Sequence, residues 1–236
     1  LCGFGKSVIQ AVLEGKVEQL ILVNCCDSMR RVYDIVESTG KCKFLYMLDM
    51  PHEDNDCEKV KLAQGIHRLK KAYEKFSGKT FDRSGFLNAF SHEPVDNQPY
   101  IGVLGVRVSG ILEKMIRDNI RMDVENLTCT GGRRLAVIRE ELEKMEDDAM
   151  FLAYADALLS QMPCFRMNNS TRRNRLYLDP NLKGIIYHTI KFCDYYGFEY
   201  ASIKRDIKVP LLKIETDFTS QSAGQLLTRV QAFAET

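Results

Sequence analysis

The stretch Leu20-Ile21-Leu22-Val23-Asn24-Cys25-Cys26-Asp27-Ser28-Met29-Arg30-Arg31-Val32-Tyr33-Asp34-Ile35-Val36 decides the fold class. It opens as a short apolar run of strand length and continues with apolar residues at helical intervals. The turn between the two falls on a pair of cysteines. The same order recurs where Val124-Glu125-Asn126-Leu127-Thr128 reaches Cys129, and where Ile185 to Phe192 reaches Cys193. Strand-then-helix alternation predicts an α/β protein with parallel sheets joined by helical crossovers.

Working outward, Lys6–Glu14 reads as a helix, 19–24 as a strand, 27–38 as a helix and 43–49 as a second strand. A long helix follows at 57–77, closed by Gly78, then a short one at 82–91 behind the N-cap Asp82. Ser91 to Pro99 has two prolines and no periodicity, and reads as a linker. Beyond it come strands at 100–108, 123–128, 184–191 and 210–215. The helices predicted there are 110–119, 134–146, 148–161, 171–179, 198–206 and 221–235. The expected domains are therefore 1–95 and 96–236.

With 236 residues, 45% of them apolar, the chain is long enough for two such domains. Its 33 basic and 32 acidic residues balance to a net charge of +1. That gives no electrostatic case for nucleic acid or an anionic membrane. No apolar run reaches the roughly 18 residues of a membrane span. The first residues show no signal-peptide pattern and residue 1 is Leu, so the natural start is expected upstream and the location is expected to be cytoplasmic.

Eight cysteines, at positions 2, 25, 26, 42, 57, 129, 164 and 193, are many for such a chain. In a reducing compartment they point to metal binding or catalysis before disulfides. Burial as small hydrophobes suits Cys42 and Cys57, which match no pattern. Cys25, Cys26, Cys129 and Cys193 are different, because ligands in open α/β sheets sit beyond the carboxyl ends of the strands. Thiolates brought there by distant segments can converge on one centre, as in iron–sulfur clusters. Zinc bound by scattered cysteines is a second reading, although no C-x-x-C is present. The spacing C-x-x-x-R-R occurs twice, as Cys26 to Arg31 and Cys129 to Arg134. Arg30, Arg31, Arg133 and Arg134 thus open two helices, where they could offset cluster charge, bind a coenzyme's phosphates, or simply be solvated.

These segments carry a resemblance. Leu1-Cys2, Asn24 to Arg31, Leu48-Asp49-Met50-Pro51-His52, Thr128 to Arg133 and Pro163-Cys164-Phe165-Arg166 resemble the 2-hydroxyacyl-CoA dehydratase family. So do Lys191-Phe192-Cys193-Asp194, Ile214 to Phe218 and Gly224 to Phe233. The family includes benzoyl-CoA reductase subunits and double-cubane-cluster reductases. The resemblance implies two flavodoxin-like domains with a [4Fe–4S] cluster in the cleft between them, ligated at the positions of Cys2, Cys26 and Cys193. It also implies an ATP-dependent iron–sulfur activator as electron donor, a homologous subunit or homodimer, and a small acyl-CoA-type substrate undergoing dehydration or reduction. Cys25, Cys129 and Cys164 lie at or beside further motif positions. With the other three they would make the six thiolates of a double-cubane [8Fe–9S] cluster. A non-catalytic electron-transfer or cluster-holding partner is the remaining alternative, because family subunits are usually longer.

Overall fold

The structure is a computed structural model and describes residues 1–89, 98–129, 131, 139–217 and 223–235. Most of the linker at 91–97 and the start of the helix expected at 134–146 lie outside the described residues. The chain divides into two compact units. Unit 1 comprises Leu1–Phe4, Val95–Arg133 and Thr171–Thr236, and unit 2 comprises Gly5–Pro94 and Arg134–Ser170. Contiguous halves would place Leu1–Phe4 and Arg134–Ser170 in the opposite units, because packing groups segments that the sequence separates.

In unit 2, β1 (Gln19–Val23) and β2 (Phe44–Leu48) pair in parallel, with Gln19 opposite Phe44 and Val23 opposite Leu48. The connection is α2 (Asp27–Thr39), which buries Met29, Val32 and Val36 and ends at Gly40 in the left-handed conformation. Gly5, in α1 (Gly3–Leu13), packs closely on Met29 and Val32. The larger core of this unit is helical. α3 (Asp56–Ser77) is capped by Asn55, whose side chain accepts from the Glu58 amide at 3.1 Å. It lies along α7 (Asp147–Ser160) and buries Leu62 and Ala63 against Met150, Phe151 and Ala155. Leu87 of α4 (Arg83–Asn88) and Leu142 of α6 (Arg139–Glu143) complete that core.

Unit 1 holds a four-stranded parallel sheet in the order β4-β3-β5-β6. The strands are β3 (Tyr100–Gly105), β4 (Asp123–Asn126), β5 (Leu182–Ile190) and β6 (Leu211–Thr216). The second strand of the unit lies on one side of the first and the third on the other, as at the start of a flavodoxin-like order. The crevice of such a sheet opens where the order reverses, here between β3 and β5. β5 is buried at every residue except Lys183, as expected of a strand covered on both faces. α5 (Gly110–Asn119) and α9 (Ala223–Ala234) cover the sheet with Leu112, Ile116, Leu226 and Val230.

Several expected boundaries move for physical reasons. β3 stops at Gly105 instead of running to 108, because Gly105 takes φ 92° and Ser109 already caps α5. A Cβ at Gly105 would lie 2.1 Å from the His188 carbonyl oxygen, so only glycine permits this approach. The segment expected as a helix at 171–179 is a 3-10 helix, Ser170–Leu178. α8 begins at Asp194, four residues before its expected start. A buried network outweighs the weak local propensity of Tyr195-Tyr196-Gly197: Glu199 of α8 accepts from Arg173, from Tyr177 at 3.1 Å and from Tyr187. That carboxylate ties the 3-10 helix and β5 to α8.

His188 on β5 is fully buried. Its Nδ1–H donates to the Val106 carbonyl at 3.2 Å, and Nε2 accepts from the Thr216 hydroxyl at 2.8 Å. Burial holds its pKa down to about 4, against the opposing pull of the Val106 and Arg107 backbone. The neutral ring therefore stabilises the fold fully above the ordinary histidine pKa of about 6.5, and this contribution is lost as the pH falls toward 4. The loss is at most about 3 kcal/mol. Denaturant titrations at pH 7, 5.5 and 4.5 should show the wild type losing more stability than His188→Gln over this interval. Parallel curves for the two proteins would refute the assignment.

Candidate functional site

In a parallel sheet all strands end on the same rim, so the residues following them are gathered there. In unit 2, β1 runs out into Asn24-Cys25-Cys26 and β2 into Asp49-Met50-Pro51-His52. Asn24 ties the two ends together: its Nδ2 donates to Asp49 Oδ1 at 2.7 Å, and its Oδ1 accepts from the Met50 amide at 2.8 Å. The loop 163–170 is fastened to the same rim. His52 Nδ1 donates to the Arg166 carbonyl at 3.0 Å, and the Asn168 amide donates to the His52 carbonyl at 2.9 Å. Asn168 Nδ2 and Asn169 Nδ2 bond the carboxylates of Glu53 and Asp54 at 2.9 and 2.7 Å.

Cys25, Cys26, Cys164 and Arg166 thereby become electrostatic neighbours. Cys26 is the N-cap of α2. Its thiol is held down to a pKa of about 6, first by a hydrogen bond from the Cys25 thiol and then by the amides of Met29 and Ser28, against the cost of burial. Amides and the positive end of a helix dipole stabilise a thiolate in the same way elsewhere. Cys25 is pushed up instead, because it donates to Cys26, is buried, and lies beside the charges of Cys26 and Cys164; Arg166 opposes this rise.

Arg166 is anchored by Nη2, which donates to the Pro51 carbonyl at 2.9 Å. Its Nη1 is buried without a hydrogen-bond partner. Leaving a buried charged donor unmade costs about 1–3 kcal/mol or more. Arg166 belongs to the segment Pro163-Cys164-Phe165-Arg166, in which the sequence alone marks only the cysteine as a candidate ligand. The available signal was a cationic residue two positions after a motif cysteine.

Unit 1 gathers three more of the quoted segments. The Gly3 amide, next to Cys2, donates to the Lys191 carbonyl at 3.3 Å, and the Lys191 amide donates to Thr216 O at 2.9 Å. A Cβ on Gly3 would lie 2.7 Å from the Asp217 carbonyl oxygen. Leu1-Cys2, Lys191 to Asp194 and Ile214 to Asp217 are thus packed at one rim. Cys193 is the N-cap of α8, and Cys2 directly precedes α1. Phe192, between strand and cap, takes φ 66° with an exposed ring, a conformation unusual outside glycine. Arg107, after β3, lays its guanidinium over the Phe4 ring at 4.3 Å, and its Nε is buried without a partner.

The remaining expected residues are placed as follows. Cys129 follows β4 and is exposed. Arg30 and Arg31 stand in the first turns of α2 with exposed side chains, ion-paired to Asp27 at 3.5 Å and Asp34 at 2.9 Å. Arg133 and Arg134 lie outside the described residues. Cys2 and Cys193 belong to unit 1, and Cys25, Cys26 and Cys164 to unit 2. Among the described residues, no three His, Cys, Asp or Glu side chains are gathered as a metal site.

A family profile described as "2-hydroxyglutaryl-CoA dehydratase, D-component" matches residues 1–94 and 99–236, nearly the whole chain. The chain belongs to this dehydratase family. Two curated proteins are similar to it. One is "Putative dehydratase subunit YjiM" of Escherichia coli (strain K12), 28% identical over 151 residues, which cover 60% of this chain and 38% of that protein. The other is "(R)-phenyllactyl-CoA dehydratase beta subunit" of Clostridium sporogenes, 39% identical over 56 residues, covering 22% of this chain and 15% of that one. The chain thus spans less than two-fifths of the length of these relatives. Among the described residues, no helix is long and apolar enough to cross a membrane.

The family implies an iron–sulfur cluster, and the thiols fit one on chemical grounds. Cys2, Cys26 and Cys193 each stand immediately before a helix, Cys26 is thiolate-prone, and the unit-2 rim adds a guanidinium nitrogen without a hydrogen-bond partner. Alkylation of the iron-free protein tests the thiolate assignment. Modification of Cys26 by iodoacetamide, followed by peptide mass spectrometry, should rise with a midpoint near pH 6, while Cys25 stays unreactive at pH 8. A Cys26 midpoint near pH 9 would contradict it.

Proposed function

We propose that the chain is the iron–sulfur part of a 2-hydroxyacyl-CoA dehydratase-like enzyme, a lyase in class, with Cys2, Cys26 and Cys193 as the ligands of a [4Fe–4S] cluster. The observation that carries this reading is the placement of all three thiols at helix starts on the rims of parallel sheets, within a chain of the dehydratase family. Such a cluster supplies low-potential one-electron chemistry and an iron site able to engage a substrate oxygen. The protein's own groups do the rest. The amides of Ser28 and Met29 hold Cys26 ready as a thiolate, and the Gly3–Lys191 bond keeps the Cys2 and Cys193 segments together.

Membership of this family supports an acyl-CoA-type substrate and an ATP-dependent iron–sulfur activator as electron donor. The word "subunit" in the names of both relatives supports a companion chain, either a homologous subunit or a second copy. Cytoplasmic location agrees with abundant free cysteines, which persist in reducing compartments.

One observation favours a second reading, the double-cubane [8Fe–9S] cluster of a reductase. Cys25 and Cys164 act electrostatically on one another beside Cys26, so one rim offers three thiols. Vicinal cysteines can serve two adjacent cubanes more readily than both serve one.

Anaerobic reconstitution with ferrous iron and sulfide, followed by metal and sulfide assay, tests both readings. About four irons per chain are expected for one cubane and about eight for two. Cys26→Ser should abolish most iron uptake, whereas Cys42→Ser should leave it at the wild-type level. A strictly anaerobic preparation that binds only zinc would remove both readings.

A further inference from the structure

Of the arginines that the repeated C-x-x-x-R-R spacing singled out, Arg30 and Arg31 are not the cations placed among the unit-2 thiols. Arg30 and Arg31 are solvated and each has a carboxylate partner. Arg166 has neither property. Its Nη2 is spent on the Pro51 carbonyl, its Nη1 is buried with no partner, and no ion pair among the described residues includes it. Arg166 as a whole is half-buried, but its Nη1 is shut off from water, and a guanidinium donor enclosed in this way is retained where an anion meets it, its flat fork of donors being suited to such a ligand. The thiols of Cys26 and Cys164 act on Cys25 beside it. The loop that carries Arg166 is fixed to residues 51–54 by its own hydrogen bonds, so the guanidinium is set in place before any ligand arrives.

We propose that Arg166 is the positioning cation of the unit-2 rim: its unpartnered Nη1–H donates to a thiolate or sulfide of the iron–sulfur cluster and offsets that cluster's negative charge. This rests on the cluster reading above. Hydrogen bonds and positive charge near the sulfurs favour the reduced state of a cluster, so Arg166 raises the reduction midpoint. The residue touches the electron carrier's ligands and takes no part in bond making or breaking on a substrate.

The test uses the full chain as wild type, Arg166→Met, Arg166→Lys and His52→Ala, each reconstituted anaerobically with iron and sulfide. Far-ultraviolet circular dichroism checks the fold, and chemical assay gives the iron content. The reduction midpoint is followed by electron paramagnetic resonance. Arg166→Met should titrate at a more negative midpoint than wild type, with Arg166→Lys between them. His52→Ala should shift the midpoint less than Arg166→Met does, because it removes one of several loop bonds and keeps the guanidinium. Loss of iron from a folded Arg166→Met, restored in part by Arg166→Lys, would support the proposal equally. If Arg166→Met does not fold, Arg166→Lys against His52→Ala decides. Equal midpoints at equal iron content overturn the role of Arg166 and leave the cluster reading standing. A shift in His52→Ala as large as that in Arg166→Met also overturns it, by making loop placement the cause. Wild type that takes up neither iron nor sulfide overturns the cluster reading, and the proposal with it, before any variant is compared.

Discussion

Parallel pairing obliges every strand of a sheet to finish on the same rim, and the candidate functional residues of this chain depend on that constraint. In unit 2 the pairing of β1 with β2 sets Cys25-Cys26 beside the Asp49 to His52 turn, and Asn24 locks the two ends together. In unit 1 the pairing of β5 with β6 puts the Lys191 to Asp194 turn against Thr216 and Asp217, where the Gly3 amide joins them. Neither rim needs its contributing segments to be neighbours in sequence. The strands do the gathering, and backbone hydrogen bonds maintain the register.

Electrostatics at these rims follows from what each thiol can borrow from the backbone. Helix starts leave amides without intrahelical partners, and their positive potential favours a thiolate placed beside them. Cys26 takes this role and Cys25 serves as its donor, so two adjacent residues of identical chemistry are driven in opposite directions. Deep in unit 1 the charges are treated differently. Arg173 and Glu199 are both buried, but they pair with each other, and two tyrosines donate to the Glu199 carboxylate. Such a closed network is structural, whereas Arg166 and Arg107 keep a buried nitrogen without a partner.

The order of elements was legible along the chain because its signals are local. Apolar runs of strand length marked 19–24, 43–49 and 184–191, and caps such as Asp82 and the stop at Gly78 marked helix ends, all close to where the structure has them. Mistakes arose where distant groups override local preference. The start of α8 is held by Glu199, whose partners Arg173, Tyr177 and Tyr187 lie 12 to 26 residues away. The end of β3 at Gly105 reflects a close approach to His188, a residue on another strand.

By itself, then, the sequence determined the alternation of strands and helices and the delivery of cysteines to strand ends. Periodicity, caps and turn residues act over a few positions and can be read there. Only the tertiary structure decided that Leu1–Phe4 packs with unit 1 and 139–170 with unit 2, and that Cys164 and Arg166 join Cys25 and Cys26. It alone separated the solvated pair Arg30 and Arg31 from Arg166, whose Nη1 is buried. Burial and the loss of hydrogen-bonding partners arise when segments more than a hundred residues apart pack together, and no local pattern records that.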